Sequence, residues 1–173
     1  MKKKLLFSAL FSLLFVATAF SQEVNKVIKD PMMGMNVMAG PCNLDGLQHG
    51  LFGPWFNYQY KSYKPESKVV SDIQKKLDKT QLTVVFGSWC GDSKEQVGRF
   101  YKILNDAGYN TASVKAIAVD RALKVPGSDI SKLDIKRVPT FIVSYQGKEI
   151  GRIVESPKKT LEKDLQNILQ KVD

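Results

Sequence analysis

Residues 82–93 read LTVVFGSWCGDS, an apolar run that leads directly into glycine, serine, tryptophan and cysteine. The run from Leu82 to Phe86 is short and rich in β-branched residues, which predicts a buried strand ending before Gly87. A helix is expected directly after Cys90, because apolar residues recur there at helical spacing until Gly108. Those apolar residues are Val97, Phe100, Tyr101 and Leu104. The segment therefore predicts a strand, a cysteine and a helix in succession.

The sequence on both sides of this segment is regular from Pro65 onward. Apolar residues four positions apart predict an amphipathic helix over 66–78. Ser156 and Pro157 are suited to the N-cap and first turn of a last helix. Further strands are predicted over 114–119, 140–145 and 149–154, the last two joined by a hairpin turn at 146–147. The predicted order of elements is α-β-α-β-β-β-α, which is an α/β fold.

Cys90 is the residue whose position favours chemistry. The first turn of a helix carries partial positive charge and unpaired N–H groups, and both stabilise a thiolate. Lys94 is expected to assist this effect and Asp92 to oppose it by like-charge repulsion. Trp89 would form one apolar wall beside a partly exposed sulfur. The alternative is a buried, unreactive cysteine.

Two segments resemble the hallmark segments of the thioredoxin family: Trp89-Cys90-Gly91-Asp92-Ser93 after one strand, and Arg137-Val138-Pro139-Thr140-Phe141 before another. The resemblance covers residues 65–173 and implies a thioredoxin-like fold, with a central mixed β-sheet flanked by helices. It implies that Cys90 is the attacking thiol and that Pro139 is cis and faces it. An ordinary trans proline at the start of a strand is the alternative.

The same resemblance implies a substrate-facing surface around the thiol. The backbone at Val138 would pair with an extended substrate. The substrate-binding residues are then predicted to be Trp89, Gly91, Asp92, Val138 and Thr140.

The departures from the family pattern limit the chemistry. Ser93 stands where dithiol oxidoreductases of the family carry a second cysteine, so the motif is Cys-x-x-Ser. Its hydroxyl could donate a hydrogen bond to the Cys90 thiolate, but it cannot resolve a mixed disulfide. One thiol still supports thiol–disulfide exchange, which suits an isomerase, a reductase helped by an external thiol, or a deglutathionylating protein. Whether the chain is an enzyme stays open, with this activity favoured.

Cys42 is the only other cysteine. Either it is a distal resolving or structural disulfide partner of Cys90, or the two thiols are separate. A disulfide requires Cα atoms within roughly 7 Å. No cofactor is indicated by the sequence, and there is no regular metal-ligand spacing.

The amino-terminal residues are expected to direct export. Lys2, Lys3 and Lys4 precede an apolar run, and small residues lead to a cleavage site after Ser21. Residues 1–21 are therefore predicted to be a signal peptide that sends the protein to the periplasm or outside the cell. No stable membrane span is expected after cleavage.

Residues 22–64 are predicted to be an extension that packs on the domain. They are rich in aromatic residues, and exposing all of these side chains to solvent would be unfavourable. The aromatic residues are Phe52, Trp55, Phe56, Tyr58, Tyr60 and Tyr63. The extension also holds soft or borderline ligands that could bind Cu(I): Met32, Met33, Met35, Met38, Cys42 and His49. Packing of the methionines is preferred over copper handling.

The charge distribution argues against one class of partner. The formal net charge is +9, but the lysines and arginines are spread along the chain rather than gathered into a basic block. Nucleic-acid binding is therefore not supported. The expected partners are protein or small-molecule thiols and disulfides, and the oligomeric state is not predicted.

Asp120 and Arg121, at a predicted strand end, are interpreted as a loop salt bridge or an exposed pair.

Three functions remain in competition. The first is single-thiol exchange through Cys90 in an exported protein. The second is a binding or chaperone-like module that keeps the fold without turnover. The third is copper handling through the Met-rich segment.

Overall fold

The computed structural model describes residues 23–173. The predicted signal peptide and its cleavage site lie outside these residues. The strands are β1 Val27–Lys29, β2 Asn36–Met38, β3 Gly40–Cys42, β4 Thr80–Phe86, β5 Lys115–Ala118, β6 Thr140–Tyr145 and β7 Lys148–Val154. The α-helices are α1 Leu44–His49, α2 Gly53–Ser62, α3 Ser67–Leu77, α4 Gly91–Asp106 and α5 Leu161–Leu169, and two 3₁₀ turns cover Thr111–Ser113 and Ser131–Leu133.

Five strands form the central sheet in the order β3-β5-β4-β6-β7. Strand β4 is parallel to β5 and antiparallel to β6, and β7 completes a hairpin with β6. Strands β1 and β2 form a separate antiparallel pair. The prediction of an α/β protein with a central mixed sheet flanked by helices is confirmed.

The sheet separates two apolar clusters. The larger cluster takes buried residues from all five helices and from alternate positions of the strands, such as Val84 and Phe86. The smaller cluster contains Val85 and Ile117 of the sheet, and Cys90 packs against it. Because successive side chains of a strand point to opposite faces, Val84 and Val85 belong to different clusters. The site at Cys90 therefore lies on the face away from the helical core.

The amino-terminal extension is built into this architecture. Strand β3 pairs with β5 along the sheet edge, with Gly40 opposite Ala118 and Cys42 opposite Ala116. Helix α2 crosses α4 at Gly98, where an added Cβ would lie 2.4 Å from the carbonyl oxygen of Phe56. The predicted boundary at residue 65 marks a change in composition, but the sheet and the core use residues from both sides of it.

The aromatic residues of the extension divide into two groups. Phe52 and Phe56 are fully buried, and Tyr60 and Tyr63 pack against the larger cluster. Trp55 and Tyr58 remain 40% and 68% exposed. Packing of the whole aromatic set was therefore too broad an expectation. A ten-residue helix can turn only part of its surface toward α4.

The predicted start of the last helix was wrong. Helix α5 begins at Leu161, and the hydroxyl of its N-cap, Thr160, accepts the backbone N–H of Lys163 at 3.4 Å. The preceding backbone is held in a turn, because the Asp164 carboxylate accepts the N–H of Lys158 at 2.6 Å. Pro157 therefore lies in the loop before the helix.

Within residues 23–173, no helix is both long and apolar enough to cross a membrane.

Candidate functional site

Cys90 occupies the junction between β4 and α4. It is the N-cap residue of α4 and has an extended backbone conformation, with φ −85° and ψ 131°. Its side chain does not cap the helix; instead the thiol donates a hydrogen bond to the carbonyl oxygen of Val138 at 3.2 Å. The residue is half-buried. The first-turn N–H groups of α4 are oriented toward the end of the helix where this sulfur sits.

The loop before β6 brings the second predicted segment to the thiol. The Val138–Pro139 peptide bond is cis, and both residues are buried. The carbonyl oxygen of Pro139 accepts the N–H of Glu155 at 2.7 Å. The hydroxyl of Thr140 donates to the carbonyl oxygen of Arg137 at 2.7 Å, so it is used within this loop. The backbone at Val138 is therefore the part of the loop in contact with Cys90.

Ser93 is placed differently from the expectation. It is fully buried, and its hydroxyl oxygen accepts the backbone N–H of Gly87 at 3.2 Å. The structure shows no hydrogen bond between Ser93 and the Cys90 sulfur. The first turn of α4 directs the serine back under the β4–α4 loop, where an otherwise unpaired N–H needs an acceptor. In this structure Ser93 supports the loop rather than the thiol.

Trp89 forms the wall beside the thiol. Its indole N–H donates to the carbonyl oxygen of Val119 at 2.9 Å, which fixes the ring over the end of β5. Gly87 lies against the ring, and a Cβ there would be 2.6 Å from the Trp89 Cε2 atom. The glycine therefore permits the turn in which the tryptophan folds back over the strand.

Gly91, Asp92 and Lys94 lie in the first residues of α4, directly after Cys90. Gly91 is exposed, and a Cβ added to it would have no atom within 4 Å. Asp92 is a half-buried acidic residue in the first turn of α4. The ammonium of Lys94 lies 3.9 Å from the centroid of the Trp55 ring, so the extension holds this cation by its aromatic face.

Cys42 does not join Cys90. Both thiols are free. Cys42 belongs to the larger cluster on the helical face of the sheet, whereas Cys90 packs on the opposite face. Burial raises the pKa of the Cys42 thiol to about 12. The suggested Cys42–Cys90 disulfide is therefore absent, because a five-stranded sheet separates the two side chains.

The soft ligands of the extension are also dispersed. Met38 and Cys42 lie in the larger cluster, whereas the methionines of the β1–β2 turn are exposed. His49 pairs with Asp45 at 3.0 Å on the surface of α1. Among residues 23–173, no three His, Cys, Asp or Glu side chains are grouped as a metal site. The exposed methionines are Met32, Met33 and Met35, so the expectation that the cluster packs holds for Met38 alone.

The interpretation of Asp120 and Arg121 as a loop salt bridge or an exposed pair was wrong. Asp120 is 4% exposed, and its carboxylate accepts the backbone N–H of Lys124 at 2.8 Å. The Arg121 guanidinium carbon lies 4.9 Å from the centroid of the Trp89 ring. The two side chains form neither a salt bridge nor an exposed pair. A charged pair at the end of a strand near the helix that begins after Cys90 was the sequence signal for this contact.

A cleft of about 670 Å³ opens on the same face of the sheet. Apolar residues of the smaller cluster, including Leu123, Ile130 and Ile135, line it. Its charged lining residues are of both signs, and Lys136 pairs with Asp134 at 2.7 Å. They are Lys124, Lys136, Asp129 and Asp134. Cys90 packs against the same cluster, so the cleft and the thiol lie on the same side of the sheet.

The comparisons with known proteins concern the fold. No family model and no curated protein matches the sequence. The chain is similar to a solved structure from Pseudomonas aeruginosa, described as a protein of unknown function, with 15% identity and a TM-score of 0.47 over 71% of this chain and 82% of that one. It is also similar to mitochondrial thioredoxin 3 from Saccharomyces cerevisiae, with 19% identity and a TM-score of 0.38 over 66% and 99%. A thioredoxin from Trypanosoma brucei brucei has 26% identity and a TM-score of 0.36 over 58% and 86%.

Proposed function

We propose that this chain is an exported protein that performs single-thiol thiol–disulfide exchange at Cys90. The observation that carries the proposal is the placement of a half-buried thiol at the N-cap of α4, 3.2 Å from the Val138 carbonyl oxygen. Gly91 leaves open space beside this thiol. The predicted signal peptide supports a periplasmic or secreted location, where disulfides are available as substrates.

The exchange has two balanced steps. The Cys90 thiolate attacks one sulfur of a disulfide, a new S–S bond forms, and the other sulfur leaves as a thiolate. A second thiolate then attacks the mixed disulfide, forms a new disulfide with the substrate sulfur, and releases Cys90. An isomerase uses a thiol of the same substrate for the second step, and a deglutathionylating protein or a reductase uses an external thiol.

The second thiol must come from outside the chain. Cys42 lies on the opposite face of the sheet, and its raised pKa keeps it protonated near neutral pH. The Ser93 hydroxyl accepts the N–H of Gly87, and a hydroxyl cannot attack a mixed disulfide to form a new S–S bond. Protein or small-molecule thiols and disulfides are therefore the proposed partners.

The test is to incubate the mature chain with glutathione disulfide and to locate the adduct by peptide mass spectrometry. One glutathione is expected on Cys90, removable by added thiol. The Cys42→Ser variant should behave the same way, and Cys90→Ser should form no adduct. Unmodified Cys90 under conditions that modify a free model thiol would remove the proposed activity.

One observation favours a non-catalytic binding module as the second candidate. The Cys90 sulfur is engaged within the protein, because the thiol donates to the Val138 carbonyl oxygen at 3.2 Å. A chain without turnover would still offer the backbone at Val138 and the neighbouring cleft to an extended peptide. Absence of an adduct together with saturable peptide binding would favour this second candidate.

A further inference from the structure

Arg121 places its guanidinium over the ring of Trp89, the residue before Cys90. The residue follows the end of β5, and its guanidinium carbon lies 4.9 Å from the centroid of the Trp89 ring. Trp89 precedes Cys90 in the chain, and its indole N–H is fixed to the carbonyl oxygen of Val119. A guanidinium held over a fixed ring has a restricted orientation, and Arg121 remains partly exposed. The cation is thus held over the ring of the tryptophan that directly precedes Cys90 in the chain.

The positive charge of Arg121 has no acidic partner among the salt bridges of residues 23–173. One terminal nitrogen donates to the sulfur of Met35 at 3.6 Å, and a thioether is a weak acceptor. The Nε atom is buried and has no hydrogen-bond partner. An arginine presents five N–H donors, so most of this capacity is unused within the described part of the chain.

Asp30 is the acidic residue whose carboxylate contacts the backbone of Arg121. Asp30 is 1% exposed, and its carboxylate accepts the backbone N–H groups of Arg121, Met32 and Met33 at 3.0, 3.0 and 2.9 Å. These bonds position the Arg121 backbone and the β1–β2 turn that carries Met35. The carboxylate makes no salt bridge with the guanidinium, although the charge of Arg121 contributes to lowering the pKa of Asp30. The Arg121 charge is therefore attracted to Asp30 but is not paired with it in direct contact.

We propose that Arg121 binds a carboxylate of the disulfide that Cys90 attacks, and so selects disulfides that carry an acidic group. This inference rests on the proposed exchange at Cys90. A guanidinium edge matches the two oxygens of a carboxylate, which makes such a pair stronger and more directional than one with lysine. The substrate class is a small disulfide with a carboxylate a few bonds from its sulfur.

The test compares three disulfides of similar size and different charge. These are 3,3′-dithiodipropionate, bis(2-hydroxyethyl) disulfide and cystamine, which are anionic, neutral and cationic. The measured quantity is the rate of mixed-disulfide formation at Cys90, expressed as the ratio of the anionic to the neutral rate. In Arg121→Gln this ratio is expected to fall about fivefold, the effect of one favourable exposed ion pair. The ratio for Arg121→Lys should lie between those of the unmodified chain and Arg121→Gln. Lysine keeps the positive charge but lacks the parallel N–H donors of the guanidinium.

The matched control is Lys115→Gln, which removes one exposed positive charge from β5, the strand that precedes Arg121. Its rate ratio should equal that of the unmodified chain. An unchanged ratio in Arg121→Gln would overturn the proposal. An equal fall of the ratio in Lys115→Gln would also overturn it, because the preference for the anionic disulfide would then reflect the net positive charge of the protein.

A binding measurement tests Arg121 even if Cys90 fails to react with any disulfide. Trp55 and Trp89 are the two tryptophans, so Trp55→Phe leaves Trp89 as the single tryptophan reporter. Titration with 3,3′-thiodipropionate, a thioether that cannot exchange, should change this fluorescence saturably. The change should be lost in the Trp55→Phe/Arg121→Gln double variant. No saturable change would overturn the inference about Arg121, whereas a lack of exchange alone would overturn only the proposed activity.

Discussion

The carboxylate of Asp30 accepts the backbone N–H of Arg121 at 3.0 Å across 91 positions of sequence. This bond ties the β1–β2 turn of the extension to the end of β5, beside the tryptophan next to Cys90. Burial by itself would raise the pKa of Asp30, but the hydrogen bonds from the N–H groups of Arg121, Met33 and Met32 and the charge of Arg121 hold it below its usual value. The charged carboxylate therefore stabilises the junction.

The pH dependence of stability should report this carboxylate. Because the folded-state pKa of Asp30 lies below its ordinary value of 3.8, its contribution is present above that pH and is lost as the pH falls through the folded-state pKa. Asp30→Asn should therefore lower the urea midpoint near neutral pH, and the difference from the unmodified chain should shrink below pH 3.8. A difference that stays constant from neutral to acid pH would show that the charge is not involved.

The two cysteines should differ strongly in reactivity. Burial raises the pKa of Cys42 from 9.0 to about 12, so its thiolate fraction near pH 8 is far lower than that of an ordinary thiol. Iodoacetamide at pH 8 should label Cys90 first and Cys42 only when the chain unfolds. The measurement is the labelling rate of each cysteine by peptide mass spectrometry, with Cys90→Ser as the control that isolates Cys42. Comparable rates in the folded protein would contradict the buried position of Cys42.

The same shift predicts a loss of stability in alkali. Since the folded-state pKa of Cys42 lies above its unfolded value of 9.0, the stabilisation is fully present below pH 9 and is lost as the pH rises toward about 12. Cys42→Ala should flatten the fall of the urea midpoint between pH 8.5 and 10.5. An equally steep fall in the variant would assign the effect to other groups.

Gly98 should be intolerant of a methyl group although it lies inside a helix. A Cβ at this position would lie 2.4 Å from the Phe56 carbonyl oxygen, so Gly98→Ala should push α2 away from α4. The expected cost is about 1–3 kcal/mol of unfolding free energy, despite the better helix propensity of alanine. Gly91→Ala is the matched control on α4, because its Cβ would meet no atom within 4 Å. Equal stability of the two variants would argue against close packing of α2 at Gly98.

Ser93→Ala should affect stability more than reactivity. Its hydroxyl is the acceptor for the buried N–H of Gly87, and leaving that donor unpaired costs about 1–3 kcal/mol. The alkylation rate of Cys90 should change less than about twofold if loop geometry is retained, since Ser93 makes no hydrogen bond to the sulfur. Ser71→Ala on the exposed face of α3 is the control for serine removal from a helix. A large change in alkylation rate with unchanged stability would restore the modulating role that the sequence suggests for Ser93.

Much of the site was predictable from the sequence because its elements are local. The apolar run before Cys90 and the helical repeat after it were sufficient to place the cysteine at the start of α4. The sequence also predicted strand β6 with its observed limits, since the run is bounded by Pro139 and by the turn at Gly147. These predictions depend on residues that are close along the chain.

The partners of these residues were decided by tertiary structure. Ser93 was expected to serve the sulfur and instead serves the N–H of Gly87. Arg121 was expected to belong to a surface pair and instead stacks on Trp89, because Asp30 fixes its backbone from the far end of the extension. A local pattern contains no information on which distant hydrogen-bonding group will meet a side chain when the sheet closes.

The sequence by itself determined the alternation of helices and strands from residue 65 onward, the position of Cys90 and the lack of a second nearby thiol. These follow from periodicity, residue type and spacing. Only the tertiary structure decided that β3 completes the sheet and that Cys42 lies on the opposite face from Cys90. Which strand becomes an edge, and which face a side chain occupies, depend on register with a partner strand, and register is set when distant segments pair.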